Sequence, residues 1–202
     1  MLTFPNTEKK LKAKISSYKS GLNKEKRTYG SINDGAGKRY TLFYLYFVLN
    51  DLKKSKDYFK WYKENFSDDT GEPVQKLCWA ISLHRMEKDG EAKYMLAKLM
   101  LSNLYLVPQV LGEEVNEYDF WHSSSTEFID YFEYIPEEVL QSIKETELEW
   151  MKGLYESFEF RRIRKRHIEI FRELKETKGV ESRTKLLKES YSLLNNLEHK
   201  IC

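Results

Sequence analysis

The chain has 202 residues, of which 41% are hydrophobic and 33% are charged, and its formal net charge is +2. This composition excludes a disordered chain and indicates a globular protein with one substantial core. No run reaches the roughly 18 apolar residues of a membrane-spanning helix, and the first residues lack the pattern of a secretory signal. Because Cys78 and Cys202 have no metal-ligand spacing, we predict reduced thiols in a cytoplasmic protein that does not bind membranes.

The charge is distributed unevenly along the chain. Residues 1–39 contain ten Lys or Arg and three Asp or Glu, a net charge of +7, whereas residues 99–143 contain nine Asp or Glu and no Lys or Arg, a net charge of −9. Such asymmetry marks either separate binding faces or two regions that neutralise each other within the fold. Both interpretations stay open at this point.

The first predicted element is a basic amphipathic helix that begins near Thr7. Its apolar residues recur at intervals of four, three and four and form one narrow stripe, which comprises Leu11, Ile15, Tyr18 and Leu22. Lysines surround this stripe. Such a helix either docks on the core of its own protein or lies on a nucleic acid or an acidic membrane, and we favour the first.

A glycine-containing turn follows, with the sequence INDGAGKRY at residues 32–40. A phosphate-binding P-loop needs a glycine five residues before its Gly-Lys pair and a Ser or Thr after it, but Ile32 and Arg39 stand at those positions. We therefore predict a simple turn into the next helix. Because a helix N-terminus disfavours cations, we predict an acidic partner for Lys38 and Arg39, with residues 113–138 as the candidate.

The next region contains four predicted helices separated by short turns, as expected for antiparallel neighbours. Their sequences are RYTLFYLYFVLND, DLKKSKDYFKWYKENF, VQKLCWAISLHRMEK and GEAKYMLAKLMLSNL. The first is almost wholly apolar and aromatic, so it must be enclosed on most sides. The second is amphipathic, and Pro73 suits the first turn of the third.

Helix-capping patterns predict three shorter helices in the middle of the chain. The capping box at residues 124–127, formed by a serine and a glutamate, predicts a helix over 125–134. Pro136 begins a second helix, and a capping box at residues 146–149 predicts a third.

Two further helices are predicted at the C-terminal end. A clean helical face is formed by Phe160, Ile163, His167, Ile170, Phe171 and Leu174. After a turn at 177–182, the last helix carries Leu187, Tyr191, Leu194 and Ile201. Since no strand is predicted, the sequence indicates one all-α domain, 1–202, with a basic helix and turn at 7–38, the four helices at 39–107 and a helical C-terminal region at 108–202.

The four-helix region repeats with a period of 37 residues. Residues at offsets 0, 1, 4, 13 and 17 correspond between the two units, which are Leu42, Phe43, Tyr46, Ser55 and Phe59, then Trp79, Ala80, Leu83, Ala92 and Leu96. At these residues the sequence resembles the tetratricopeptide repeat family, whose units are helical hairpins of about 34 residues. In that family the small residue at offset 13 marks the point where two helices cross closely.

The resemblance implies a TPR-like α-solenoid of stacked antiparallel hairpins, with an N-terminal capping helix and a C-terminal helical hairpin. It also implies a groove that is lined by the first helix of each hairpin and binds a peptide or another protein. Combined with the acidic and aromatic segment described next, it predicts a partner-binding surface that comprises Lys38, Arg39, Tyr40, Phe43, Tyr44, Lys76, Tyr118 and Trp121.

Residues 113–138 interleave carboxylates with aromatic rings. Exposed rings among carboxylates would suit a basic partner protein with apolar anchors, contacted through Tyr118 and Trp121. The other interpretation is that the rings fill the junction between the two halves of the chain while the carboxylates stay in water.

The run RRIRKRH at residues 161–167 supports an alternative function. Together with the N-terminal lysines, its cations at 161–166 would suit a helical protein that binds nucleic acid. The simpler interpretation is a solvated helix face, on which Glu169 pairs with Lys165 and Glu159 with Arg162.

No motif in the chain indicates catalysis. The histidines are His84, His122, His167 and His199, and they show no paired-ligand spacing for a metal. His122 lies near Asp119 and three serines, but the sequence has no nucleophile elbow. We predict a non-catalytic protein–protein interaction module, of adaptor, chaperone or immunity-inhibitor type, without a cofactor or a metal.

Overall fold

The computed structural model describes residues 4–198. Within that range the chain forms helices and no strand, which confirms the all-α prediction. The α-helices are α1 (Glu8–Tyr29), α2 (Lys38–Leu49), α3 (Leu52–Asn65), α4 (Pro73–Arg85), α5 (Asp89–Ser102), α6 (Leu106–Val110), α7 (Glu137–Gln141), α8 (Glu145–Tyr155), α9 (Phe158–Glu176), α10 (Val180–Ser192) and α11 (Asn195–Glu198). His199, Ile201 and Cys202 lie outside the described residues.

The basic helix α1 docks on the core of its own protein. The Thr7 side chain caps its first turn by accepting a hydrogen bond from the backbone N–H of Lys10, and Gly30 ends it with a φ of +76°. Its buried residues are Leu11, Ile15 and Leu22, and the helix packs against α2. The predicted stripe is therefore confirmed as a core contact.

Helices α2 to α5 form the four predicted elements. Asn50, with a φ of +53°, and Asp51, which caps the Lys54 backbone N–H, make the turn between α2 and α3. Helix α2 contacts both α3 and α4, and α4 contacts α5. An aromatic cluster fills the space between α2, α3 and α4, where the ring of Phe43 meets Tyr58, Phe59, Tyr62 and Trp79 at centroid distances of 5.0–5.3 Å.

All ten residues of the 37-residue repeat are buried. Ser55 and Ala92, the small residues at offset 13, are among them, and Ser55 donates a hydrogen bond from its hydroxyl to the Asp51 carbonyl. The repeat therefore describes positions that face the core in both units.

The single helix predicted over 125–134 is wrong. Two 3-10 helices, Ser125–Glu127 and Ile129–Tyr134, stand in its place, because the backbone at Phe128 is extended. The Glu127 carboxylate accepts hydrogen bonds from Ser123 and not from Ser124, so the expected reciprocal box does not form.

The third of the three shorter helices begins earlier than predicted. The Glu147 carboxylate accepts a hydrogen bond from the Lys144 backbone N–H, so α8 starts at Glu145 and the predicted box at residues 146–149 is wrong by two residues. The second helix, α7, follows Pro136 as predicted.

In the C-terminal region, the predicted face of α9 is confirmed, and its six residues are all buried. The prediction for the last helix is wrong in part. Helix α10 ends at Ser192, its buried residue is Ser190, and Tyr191 is exposed. Since Leu187 is only partly buried, the side of α10 that faces the protein is less apolar than the sequence pattern indicates.

Residues 113–138 lie at the junction between α5–α6 and α9. Tyr118 stacks on Tyr105, and Trp121 stacks on Phe171 at 5.9 Å between centroids. The side-chain amide of the buried Asn103 donates to the carbonyl oxygens of Thr126 and Phe128 and holds the 3-10 segment against the end of α5. Tyr118, Phe120 and Trp121 thus fill the junction, whereas the rings of Phe128 and Tyr134 are exposed.

Among the helices of the described residues, none combines the length and apolar character needed to cross a membrane.

Candidate functional site

Two adjoining cavities lie between α3, α4, α5 and the loop at 66–72. Their volumes are about 430 and 370 Å³, within the range of about 300–1,000 Å³ that is typical of ligand sites. Both are lined by Lys63, Trp79, Leu83 and Glu91, so they form one continuous depression. We call it the lysine groove, since its lining includes Lys56, Lys60, Lys63, Lys76, Lys88 and Lys98.

The amphipathic pattern of α3 explains one edge of the lysine groove. Its buried residues are Ser55, Tyr58, Phe59 and Tyr62, which turn the opposite side to solvent. Lys56, Lys60 and Lys63 are spaced by four and three residues, so they lie along one exposed edge of the helix.

Helix α4 supplies the apolar floor of the groove. Trp79 lies between the two cavities, and Lys63 Nζ lies 5.5 Å from the centroid of its ring. A cation at this distance from an aromatic face is stabilised by the ring. An apolar group entering the groove would therefore meet Trp79 and Leu83 with lysines around it.

Lys76 is the buried cation of the groove. Its side chain belongs to a residue only 7% exposed, and Nζ donates a hydrogen bond to the Gly71 carbonyl oxygen over 3.1 Å. Burial, together with the nearby charge of Lys98, lowers the pKa of Lys76 to about 8, against the opposing effect of Asp69 and Glu72. The ammonium therefore remains mainly protonated at neutral pH, at a desolvation cost.

Burial also shifts the pKa of Glu72, at the N-terminus of α4, but in the opposite direction to that of Lys76. Burial raises the pKa of Glu72 to about 7, although the cations Lys76 and Arg39 act to lower it. At neutral pH this carboxyl is therefore only partly ionised and neutralises Lys76 incompletely.

Two polar atoms close to Lys76 lack hydrogen-bond partners. The Tyr62 hydroxyl and Gln75 Oε1 are buried and make no hydrogen bond with any described residue. Burial, with the nearby carboxylate of Asp69, raises the pKa of Tyr62 far above its usual value, so the hydroxyl keeps its proton. Gly71 covers Gln75 so closely that a Cβ on the glycine would overlap Oε1.

A network centred on Arg39 holds the loop that borders the groove. Arg39 Nε lies 2.6 Å from Asp69 Oδ2, and the Tyr40 hydroxyl donates to Asp69 Oδ1 over 2.7 Å. The same Oδ1 accepts from the Gly71 backbone N–H over 3.0 Å. Through Asp69, the first turn of α2 therefore fixes the position of Gly71 beside Lys76.

The predicted acidic partner for Arg39 in residues 113–138 is wrong. Asp34 accepts hydrogen bonds from the backbone N–H groups of Lys38 and Arg39 over 2.9 and 2.8 Å, and its carboxylate also lies 3.3 Å from the Arg39 guanidinium. This carboxylate compensates the positive end of α2. The neutralising groups are therefore Asp34 and Asp69, which come from the loops before α2 and before α4.

The other residues predicted for the partner-binding surface lie in different environments. Phe43 and Tyr44 are buried in the core and do not line the lysine groove. Lys38, Arg39 and Tyr40 are partly buried at the start of α2, and Tyr118 and Trp121 belong to the junction. Of the eight, Lys76 lines the groove.

The sequence pattern marks Trp79 as a repeat position and does not predict that Trp79 or the α3 lysines line a groove. The spacing of Lys56, Lys60 and Lys63 on the polar side of α3 is the signal that could have revealed the edge.

The arginine run on α9 is partly occupied by contacts within the protein. Arg166 pairs with Glu189 over 2.6 Å and with Glu173 over 2.8 Å. Arg164 donates to the Tyr155 carbonyl oxygen and lies over the ring of that tyrosine. The exposed members are Arg161, Arg162 and Lys165.

Both predicted pairs of this run have other partners in the structure. The Glu169 carboxylate, expected to pair with Lys165, lies 3.4 Å from Arg166 Nη1. The Glu159 carboxylate, expected to pair with Arg162, lies 2.6 Å from Lys93 Nζ of α5.

The residues near His122 do not assemble a hydrolytic site. The His122 ring packs between Phe120 and Phe128, with centroid distances of 4.8 and 4.7 Å, and Asp119 pairs with Lys175. Among residues 4–198, no group of three or more His, Cys, Asp or Glu is arranged to hold a metal ion.

Comparison with known proteins finds no match to this chain among protein-family models, curated proteins or solved structures.

Proposed function

We propose that the protein is a non-catalytic interaction module whose lysine groove binds an acidic segment of a partner protein. The observation that carries this proposal is the combination of an aromatic and aliphatic floor, Trp79 and Leu83, with a rim of lysines in one open depression. An extended segment with carboxylates and an apolar side chain would complement both features.

The helical-repeat interpretation supports this function. We propose that α2–α3 and α4–α5 are stacked hairpins of TPR-like type, flanked by α1 and by the C-terminal helices. The burial of all ten repeat positions and the contact between α2 and α4 favour this arrangement. The groove lies on the α3 side of α4, whereas the TPR resemblance implies a groove lined by the first helices alone.

Reversing the charge of the α3 edge should abolish binding to an acidic probe. We expect a fluorescein-labelled peptide of alternating glutamate and phenylalanine, here called the acidic peptide, to bind the wild-type protein. The triple variant Lys56→Glu, Lys60→Glu and Lys63→Glu should bind it at least tenfold more weakly, because three attractive contacts become repulsive. Fluorescence anisotropy at two salt concentrations measures the effect, and added salt should weaken the wild-type complex.

The α9 cations provide a matched control for this experiment. The variant Arg161→Glu, Arg162→Glu and Lys165→Glu makes the same change in net charge on another exposed face. It should leave the affinity within about twofold, since screening confines the effect of exposed charges to about 10 Å. Equal loss in both triple variants, or no binding to the wild type, would contradict the proposal.

Nucleic-acid binding is the second candidate, supported by the exposed Arg161, Arg162 and Lys165 on α9. Labelled RNA and DNA can be titrated at the same two salt concentrations. Tight binding that weakens steeply with salt and is lost in the α9 variant would favour this function. Absence of binding at low salt would remove it.

A further inference from the structure

We propose that one carboxylate of the partner segment enters the larger cavity of the lysine groove and pairs with Lys76. This inference rests on the proposed function and assigns the anchor point within the same site. Its occupant is an Asp or Glu side chain on an acidic polypeptide segment.

The first step is the unused donor capacity of Lys76. An ammonium group has three N–H donors, and the structure gives Nζ one hydrogen bond, to the Gly71 carbonyl oxygen. The nearest acidic side chains do not complete its coordination, because neither Asp69 nor Glu72 forms an ion pair with it, and Asp69 is already bound to Arg39, Tyr40 and the Gly71 backbone. A buried ammonium group with free N–H donors and no ion-pair partner would be stabilised by an anion that enters the cavity.

The second step concerns the two polar atoms without partners. Tyr62 and Gln75 line the same cavity as Lys76, on the sides contributed by α3 and α4. The tyrosine hydroxyl can donate to a carboxylate, and Gln75 Oε1 can accept from a peptide N–H. Gln75 Oε1 lies directly against Gly71, and the Tyr62 hydroxyl is close to the Asp69 carboxylate of the same loop. We therefore expect this loop to shift when the carboxylate displaces the Gly71 carbonyl from Lys76.

The third step distinguishes a polypeptide carboxylate from a small anion. The cavity of about 430 Å³ greatly exceeds the volume of a carboxylate and continues past Trp79 into the second cavity. Lys56, Lys60 and Lys63 extend along that second part. A chain that carries further carboxylates fills this space and meets these lysines, whereas an isolated anion does not.

The charge of Lys76 also makes the interaction dependent on pH. The charged or titratable groups around it are Tyr62, Lys63, Asp69, Glu72, Glu91, Tyr94 and Lys98. Since the pKa of Lys76 is lowered to about 8, its charge is lost as the pH rises from 7 to 9. Exposed lysines keep their charge over this interval, whereas Glu72, whose pKa is raised to about 7, becomes more fully ionised. Both changes beside the cavity disfavour a bound carboxylate as the pH rises.

The decisive variant is Lys76→Met, which removes the charge and keeps an unbranched apolar side chain one atom shorter than lysine. We expect its affinity for the acidic peptide to fall at least tenfold at pH 7, while Tm stays the same or rises, because the variant no longer buries a charge. The wild-type affinity should fall severalfold between pH 7 and pH 9, and this fall should be much smaller in Lys76→Met, where Glu72 still titrates but the Lys76 charge is gone. The exposed Lys165→Met serves as the control and should match the wild type.

The outcomes separate this inference from the proposed function. If the wild type binds the acidic peptide and Lys76→Met binds it equally well, the anchor role is wrong and the groove proposal stands. If the wild type binds neither the acidic peptide nor its glutamate-to-glutamine counterpart, both proposals are wrong. If Lys76→Met lowers Tm and the wild-type affinity does not change between pH 7 and 9, Lys76 has a structural role and the inference is overturned.

Discussion

Gly71 adopts a φ of +70° and lies directly over the side chain of Gln75 in the loop that borders the lysine groove. Left-handed backbone costs an L-residue roughly 1–2 kcal/mol, a penalty that glycine does not incur. At Gly71 the space is also limited, because a Cβ would overlap Gln75 Oε1. The position therefore constrains both the backbone and the side chain beneath it.

We expect Gly71→Ala to destabilise the protein by about 2 kcal/mol or more. Gly112→Ala is the matched control, since Gly112 has a φ of +74° with no atom within 4 Å of the added Cβ. Its cost should be about 1 kcal/mol. Urea denaturation measures both values, and in a Gln75→Ala background the cost of Gly71→Ala should fall to that of the control. Equal costs in the wild-type background would show that the overlap is relieved without strain.

At the scale of single residues, the sequence predicts some environments and misses others for a physical reason. It predicts that Arg39 needs an acidic partner, because the helix dipole is a local effect. It does not predict Asp69, which lies 30 residues away, because only the packing of α2 against α3 and the following loop brings the two together. Lys76 is predicted as a contact residue, yet its burial depends on that same loop.

A buried ion pair joins helices α4 and α8. Arg85 Nε lies 2.7 Å from Glu147 Oε1, and the two side chains are 7% and 4% exposed. Arg85 also donates to the Ser142 carbonyl oxygen over 2.7 Å. The pair therefore fixes the start of α8 against the end of α4, the first helix of the second repeat unit.

Arg85→Met should destabilise the protein by about 3–5 kcal/mol, because it leaves the Glu147 carboxylate buried without its partner. Combining it with Glu147→Met should recover part of this loss, which a double-mutant cycle measures. Lys93→Met, which breaks the more exposed pair with Glu159, should cost at most about 1 kcal/mol. If Arg85→Met and Lys93→Met lowered the free energy of unfolding by similar amounts, burial would not explain the strength of the Arg85–Glu147 pair.

The stabilisation by the same pair is lost at acidic pH. Burial alone would raise the pKa of Glu147, but hydrogen bonds from Arg85 and the Lys144 backbone outweigh it and lower the pKa. Since the folded value is lower than the unfolded one, the contribution is present above about pH 4.5 and is lost as the pH falls through the folded value. In Arg85→Met, the free energy of unfolding should no longer show this decrease as the pH falls below about 4.5.

At the scale of helices, the sequence predicts best where one face is fully buried. The face of α9 follows the 3.6-residue period because Phe160, Ile170 and Leu174 all lie in the core. In α10 only a shallow contact exists, so the period does not locate Tyr191 correctly. The capping box at residues 124–127 does not predict the helix type correctly. Capping residues indicate where a helix begins, whereas the surrounding packing determines whether it is an α-helix or a 3-10 helix.

Two hydrophobic clusters support the molecule unequally. The larger one includes α1 to α5 and reaches α8 and the beginning of α9. The smaller one is built around Leu104, Phe120, Ile170, Phe171 and Leu174, with Trp121 packed against it. Helix α10 adjoins the smaller cluster and buries Ser190 alone among its residues, so we expect this end of the described chain to open most easily.

Native-state hydrogen exchange should detect this difference. The amides of α10 should exchange through openings of lower free energy than those of α4, whose residues are almost all buried. Trp121→Ala removes the contact with Phe171 and should accelerate exchange in α10. Affinity for the acidic peptide should be unchanged. Equal protection of α4 and α10 in the wild type would contradict this expectation.

For the whole molecule, the local sequence pattern determines the helices, whereas long-range packing determines the junction and the groove. The helical content of residues 39–107 and the burial of the repeat positions follow from periodicity, which each helix carries in its own sequence. The junction at Asn103, Tyr118 and Trp121 depends on contacts between segments distant in the chain. The lysine groove has the same origin, because α3, the loop at 66–72, α4 and α5 each supply part of it.

The guanidinium of Arg39 bridges two carboxylates from different loops, Asp34 after α1 and Asp69 before α4. An alteration at the amino-terminal side of α2 is therefore transmitted by a short chain of charged contacts to the carbonyl that caps Lys76. Residues outside the lining of the lysine groove, Asp34 and Arg39, thus set the position of a backbone carbonyl within it.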